Sequence, residues 1–165
     1  RLGQVTDSQD ADGTLMETNP VPSTLDAESI AAAMRKMEGD QYQVPPMFSA
    51  KKIQGVPLYK LARKGQEVER EPRFIHVEKF ALLNYAAPDA TFRVACSKGT
   101  YVRTLAHDIG RTLGTGAHLV MLRRIASGNQ RIEQAVTLPD LEAMPLEAIR
   151  ARLLPVWEVV PSLAL

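Results

Sequence analysis

The period of apolar positions changes several times along the chain, and each change predicts an element. In TLAHDIGRTLG, Leu105, Ile109 and Leu113 fall on one face of an amphipathic helix, and Gly114 and Gly116 end it. LDAESIAAAMRKM is Ala-rich with the same helical period, offers Ser23 and Thr24 as N-caps, and is closed by Gly39. PLYKLARKG predicts a short helix with Pro57 near its first turn and Gly65 as its stop. FIHVEKFALLNY and TFRVACS predict two strands, antiparallel because only a short turn at Pro88 and Asp89 joins them. LGQVTDSQDADGTL opens apolar and passes into a turn cluster of Asp, Ser and Gly, as at the end of a strand. Ala117 to Ile125 is again apolar and predicts a further strand. Pro20 and Pro22 mark a linker, Pro45 and Pro46 force an extended backbone, and Gly55 suits a turn. In the tail a short helix begins at Pro139, a second run covers Leu146 to Leu154, and Pro155 and Pro161 bracket an extended end holding Trp157. Helices mixed with an antiparallel sheet make this an α+β chain, and 165 residues is the size of one compact domain.

Composition then narrows the classes. With 45% hydrophobic and 24% charged residues the chain has an ordinary soluble balance, and no apolar run is long enough to span a bilayer. A single cysteine, Cys96, excludes an internal disulfide framework, and three histidines with one cysteine offer no zinc spacing. The expected compartment is the reducing cytoplasm, with Cys96 a small buried hydrophobe. The net charge of +1 hides a segregation. Residues 1 to 42 carry three basic and eight acidic side chains, residues 43 to 131 fifteen and six, and residues 132 to 165 two and five, giving balances of −5, +9 and −3. A basic middle is the footprint of a surface that meets phosphate, or else the solvated face of helices and hairpins.

Candidate chemistry concentrates in that middle. Lys51, Lys52, Lys60, Arg63, Lys64, Arg70 and Arg73 are interleaved with Phe48 and Tyr59, cations for phosphates beside rings for bases. A plainer reading is that Leu58 and Tyr59 anchor their helix to the core. In CSKGTYVRTLAHDIGRTLGTGAHLVMLRR, Gly99 lets the backbone turn, and Tyr101 and Arg103 follow at alternate positions, on one face of an extended segment. A ring beside a guanidinium can stack a base and grip an anion, the two tasks of a site that takes an extruded nucleotide. The plainer alternative is a core tyrosine and a rim arginine. Asp7, Asp10 and Asp12 lack the calcium-loop spacing and read as an Asx-rich turn, and His76 as a packed or surface residue of a strand.

These segments carry a resemblance. VPPMFSAKKIQGVPLYKLARKGQEVER, CSKGTYVRTLAHDIGRTLGTGAHLVMLRR and LGQVTDSQDADG resemble the bacterial tRNA pseudouridine-55 synthase family, called TruB, from about Leu2 to Leu141. The resemblance implies a pseudouridine synthase-like fold and the isomerisation of one T-loop uridine of tRNA, without cofactor or metal. It implies that Tyr101 stacks on the flipped base and helps to remove the C5 proton. Arg103 would pair with a catalytic Asp, and Leu122 would line the pocket. Residues 46–74 would form a thumb-like segment that closes on RNA. The RNA-binding set expected on this basis is Lys52, Tyr59, Arg63, Lys64, Arg70, Arg73, Lys98, His118, Arg123 and Arg124, on the T-stem-loop of tRNA.

The sequence also departs from the family's pattern. The family's nucleophilic Asp lies in a GxLDPxATGxL block, and no Asp here has that context. Arg103 is therefore expected to lack a carboxylate partner, and the chain to be a partial catalytic domain, incomplete at its N-terminus and without the family's small C-terminal RNA-binding domain. The missing part would be supplied by a separate chain or have been lost by truncation, and exposed sheet edges would then favour self-association, a partner chain or poor solubility. Two functions remain open: part of an active pseudouridine synthase, inactive by itself, or a non-catalytic RNA-binding protein or tRNA chaperone.

Overall fold

In the computed structural model, which describes residues 1–53 and 55–156, the chain divides into two compact units, residues 1–121 and the part that begins at Leu122. The first unit runs β1 (Gln4–Thr6), β2 (Leu15–Thr18), α1 (Ala27–Arg35), β3 (Gly39–Gln43), β4 (Lys52–Ile53), β5 (Val56–Pro57), α2 (Leu58–Ala62), β6 (Arg73–Ala86), β7 (Asp89–Cys96) and α3 (Val102–Thr112). The second holds β8 (Ala126–Ser127), β9 (Gln130–Arg131), a short 3-10 turn, α4 (Leu138–Ala143) and α5 (Leu146–Arg152). The expected end around Trp157 lies outside the described residues.

The centre of the first unit is an antiparallel sheet in the order β3-β6-β7. Strand β6 buries Ile75 and Val77 and then, after a bulge between Val77 and Lys79, Phe80. The bulge absorbs Glu78, so the apolar set returns to the inner face instead of flipping outward. Helix α1 lays Ile30, Ala33 and Met34 on that face, and α3 adds Leu105 and Ile109, with Leu2 and Ala117 completing the cluster. Phe80 meets Phe92 of β7 edge to face, with ring centroids 5.0 Å apart. Each fully buried large side chain in such a cluster contributes about 1.5–3 kcal/mol. Cys96 is half-buried against the same cluster.

Local chemistry explains most boundaries and corrects some expectations. Helix α1 is capped by Asp26, whose carboxylate accepts from the Ser29 N–H at 2.8 Å, and not by Ser23 or Thr24. Leu2–Thr18 forms a hairpin, with Thr6 Oγ1 donating to the Asp10 carbonyl and Asp7 accepting from the Thr14 N–H. The cluster of three aspartates is thus an Asx-rich turn, and no group of metal-ligating side chains is found among the described residues. The strand expected over Ala117 to Ile125 reduces to two isolated bridges, Leu2 with Ala117 and Asp10 with Leu119. From Val120 onward that stretch is exposed. Strand β3 and the β8–β9 hairpin were not expected. No helix among the described residues is long and apolar enough to cross a membrane.

Candidate active site

The start of α3 gathers side chains from three distant parts of the first unit. Tyr101 is the residue before the helix, with extended backbone, and Arg103 lies in the first helical turn. The expected extended segment with both side chains on one face is therefore corrected. They meet for another reason: helical side chains lean back toward the N-terminus. The Arg103 guanidinium accordingly sits 5.9 Å from the centroid of the Tyr101 ring. Leu105 and Ile109, both buried, fix the helix on the core and set where its first turn projects.

Arg103 does not lack a carboxylate. Its Nη1 donates to Asp10 Oδ2 at 2.5 Å, and its Nη2 donates to the Phe48 carbonyl. Both members of the ion pair are mostly shielded, with 20% and 24% of their side chains exposed. A partly desolvated cation needs such a partner, and the turn that Asp10 belongs to supplies it. Asp10 is itself held, since its Oδ1 accepts from Ser8 Oγ at 2.5 Å and from the Asp12 N–H at 3.2 Å. Burial by itself would raise the Asp10 carboxyl. The hydrogen bonds from Ser8 and Arg103, with the Arg103 charge, outweigh it and hold the carboxyl below its ordinary value.

The same turn makes a second tie. Gln9 takes a positive φ of 66° and accepts from Thr104 Oγ1 at 2.7 Å, while its carbonyl accepts from the Leu119 N–H. On the other side, the buried Gln43 at the end of β3 bonds both main-chain groups of Tyr101, donating to its carbonyl at 3.1 Å and accepting from its N–H at 2.8 Å. Sequence reasoning missed Gln9, Asp10, Gln43 and Thr104 as parts of the site, and read Phe48 for its ring where Arg103 uses its carbonyl. The crowding of carboxylates around Asp10 was the one available signal.

Of the expected RNA-facing residues, Lys52, Lys64, Arg73 and Lys98 are exposed. Arg63 is exposed and lies over the Tyr59 ring at 5.4 Å, one turn apart on α2, so cation and ring act as one surface. Arg70 is largely buried and paired with Glu67 at 3.2 Å. His118 departs from expectation: it is 6% exposed with Nδ1 3.1 Å from the Gln4 carbonyl, so its ring braces β1 instead of offering itself to a ligand. Leu122, Arg123 and Arg124 are exposed and belong to the second unit. His76 is a surface residue, its Nδ1 2.6 Å from Asp40 Oδ1 on the neighbouring strand.

Comparison with known proteins decides the family. The N-terminal domain profile of the TruB family pseudouridylate synthases matches residues 1–102, and the profile of the tRNA pseudouridylate synthase B C-terminal domain matches residues 103–160. The chain belongs to the TruB family. A protein of Opitutus terrae named tRNA pseudouridine synthase B is 58% identical over 162 residues, 98% of this chain and 67% of that protein. Its namesakes in Burkholderia mallei and Syntrophotalea carbinolica are 51% and 48% identical, over 94% and 98% of this chain and 51% and 54% of theirs. The chain therefore spans between about half and two-thirds of the length of these relatives. In three dimensions it is similar to a chain of a crystal structure described as a Cbf5-Nop10-Gar1 complex. That match has a TM-score of 0.62 and 30% identity, covering 81% of this chain and 38% of the other. The fold is thus that of a TruB-family pseudouridine synthase, a mixed helix and antiparallel-sheet architecture, and the Arg103 anchorage described above sits within it.

Proposed function

We propose that this chain carries the tyrosine and arginine side of the uridine pocket of a tRNA pseudouridine synthase, acting on the T-loop uridine in the cytoplasm. The observation that carries this reading is the Arg103 guanidinium, drawn against the Tyr101 ring and anchored on Asp10 and Phe48 at the start of α3. In the reaction the uridine is extruded from its loop, the bond from N1 to the ribose breaks, the ring turns, C5 bonds the ribose and gives up its proton, and N1 takes up a proton, so the product is an isomer of the uridine. Tyr101 stacks on the extruded base and assists loss of that proton. Arg103, fixed by two contacts that leave other donors of its planar head for a further anion, orients the nucleophilic carboxylate. Asp10 is a positioning residue in this scheme because it acts through Arg103.

The nucleophile is proposed to come from outside these residues, as none of the chain's aspartates lies in a Gly-x-Leu-Asp-Pro context. Residues 46–74, with Lys52, Tyr59, Arg63, Lys64 and Arg73, form the thumb that meets the T-stem-loop, and Lys98 extends that surface. A second reading, an RNA-binding protein or tRNA chaperone without catalysis, rests on the same basic, ring-bearing surface of residues 46–74. Titration of the chain with a T-arm stem-loop and with an unrelated stem-loop of equal length tests what the two readings share. Tighter binding of the T-arm is expected at fixed salt. Equal affinity for both refutes it.

A further inference from the structure

Strand β3 lies at an edge of the sheet order β3-β6-β7, so its outer edge has no strand beside it within that sheet. Its last residue, Gln43, is buried and sends its side chain to a distant part of the chain. The carboxamide of Gln43 presents one donor and one acceptor in a plane, and both close on the main chain of Tyr101, 58 residues away. Among the described residues nothing else holds Tyr101 as firmly from the N-terminal side. Lys98 and Gly99 are exposed, Gly99 adopts a φ of +86° with open space around it, and Ser97 ties Thr100 only by long bonds of 3.3 and 3.4 Å. Helix α3 has no side-chain cap of its own.

The segment that follows Gln43 makes the second grip. Pro45 and Pro46 are both buried and stiffen the chain between Gln43 and Phe48, whose carbonyl takes Arg103. One short strut thus holds the backbone of Tyr101 at one end and the guanidinium of Arg103 at the other, and then leads directly into the β4–β5 hairpin. We infer that Gln43 is a positioning residue of the uridine pocket, setting where the Tyr101 ring meets the extruded base by fixing the backbone that carries it. This rests on the pocket reading above and extends it to a residue that touches neither base nor Arg103. RNA affinity is supplied by phosphate contacts elsewhere, so removing Gln43 should separate binding from base capture.

The test uses this chain, Gln43→Ala and Gln43→Glu, and an RNA T-arm stem-loop with 5-fluorouridine at the target position. In RNA-free protein, Gln43→Ala should speed hydrogen exchange of the Tyr101 amide by at least about fivefold while Ile109, deeper in α3, stays within about twofold. Gln43→Glu keeps the acceptor for the Tyr101 N–H and should retain that protection. On RNA binding the wild-type chain should shift the fluorine resonance as the base stacks on Tyr101. Gln43→Ala should bind with an affinity within about threefold and lose the shift. If Gln43→Ala does not fold, Gln43→Glu carries the fluorine arm, with a weakened shift expected because its donor is gone. An unchanged Tyr101 exchange rate, or a shift equal to wild type in the variant measured, overturns the role of Gln43. Absence of the shift in the wild-type chain overturns the pocket reading itself, and the role of Gln43 with it, so the two failures are distinguishable.

Discussion

Arg103 owes its direction to Asp10, and that dependence gives the ion pair a definite pH behaviour. The folded-state carboxyl of Asp10 titrates below its ordinary value, so the stability it contributes is present above the unfolded carboxylate pKa and is lost as pH falls through the depressed folded value. Asp10→Asn should lower stability by roughly 1.5–3 kcal/mol at neutral pH, the range for a hydrogen bond to a charged group. It should also flatten the acid limb of a denaturant-midpoint against pH curve. Asp108 behaves oppositely. Burial raises its carboxyl, with only partial relief from the charges of His107 and Arg111. Its contribution is therefore fully present below the unfolded pKa and is lost as pH rises through the raised folded value. Asp108→Asn should raise the melting temperature at neutral pH, and the gain should vanish in acid. At this scale the sequence made Tyr101 and Arg103 visible as a pair but hid their supports. Asp10 lies 93 residues from Arg103 and Gln43 lies 58 from Tyr101, and no local pattern announces a contact made only by folding.

The elements repeat this contrast. Strand β6 and helix α3 were legible because each buries an apolar set at its own period, and β7 because it half-buries Phe92, Val94 and Cys96 at alternate positions, whereas β3 reads GDQYQ and has no such set. Its place is fixed by pairing with β6 from Gly39 with Val77 to Gln43 with Arg73, a tertiary cause. The apolar run from Ala117 misled for the reverse reason, since apolar content without partners does not make a strand. Helix α3 is seated by Gly110, where an added Cβ would run into the backbone of Gly116 and Ala117. Gly110→Ala, ordinarily favourable in a helix, should instead destabilise by about 1–3 kcal/mol through overpacking. Leu105→Ala, next to the site and fully buried, should cost about 2–5 kcal/mol. Chemical denaturation measures both, and a neutral Gly110→Ala would show that α3 is not held by that close approach.

For the whole molecule, the charge segregation predicts how RNA binding responds to salt. With fifteen basic against six acidic residues between positions 43 and 131, affinity for RNA should fall steeply as salt rises. Replacing exposed Lys64 or Arg73 with Ala should reduce the slope of log affinity on log salt by about 0.7–0.9 for each phosphate contact removed. An unchanged slope in both variants would take those side chains out of the interface. The central claim, that the start of α3 is the tyrosine and arginine half of a uridine-isomerising pocket, is tested most directly by tritium release from tRNA labelled at C5 of uridine. The chain alone should bind the transcript and release no tritium. Joined to a preceding segment with the Gly-x-Leu-Asp-Pro-x-Ala-Thr-Gly block it should release tritium, and Arg103→Ala in that joined protein should abolish release. Release by the chain alone, or release undiminished by Arg103→Ala, would contradict the assignment.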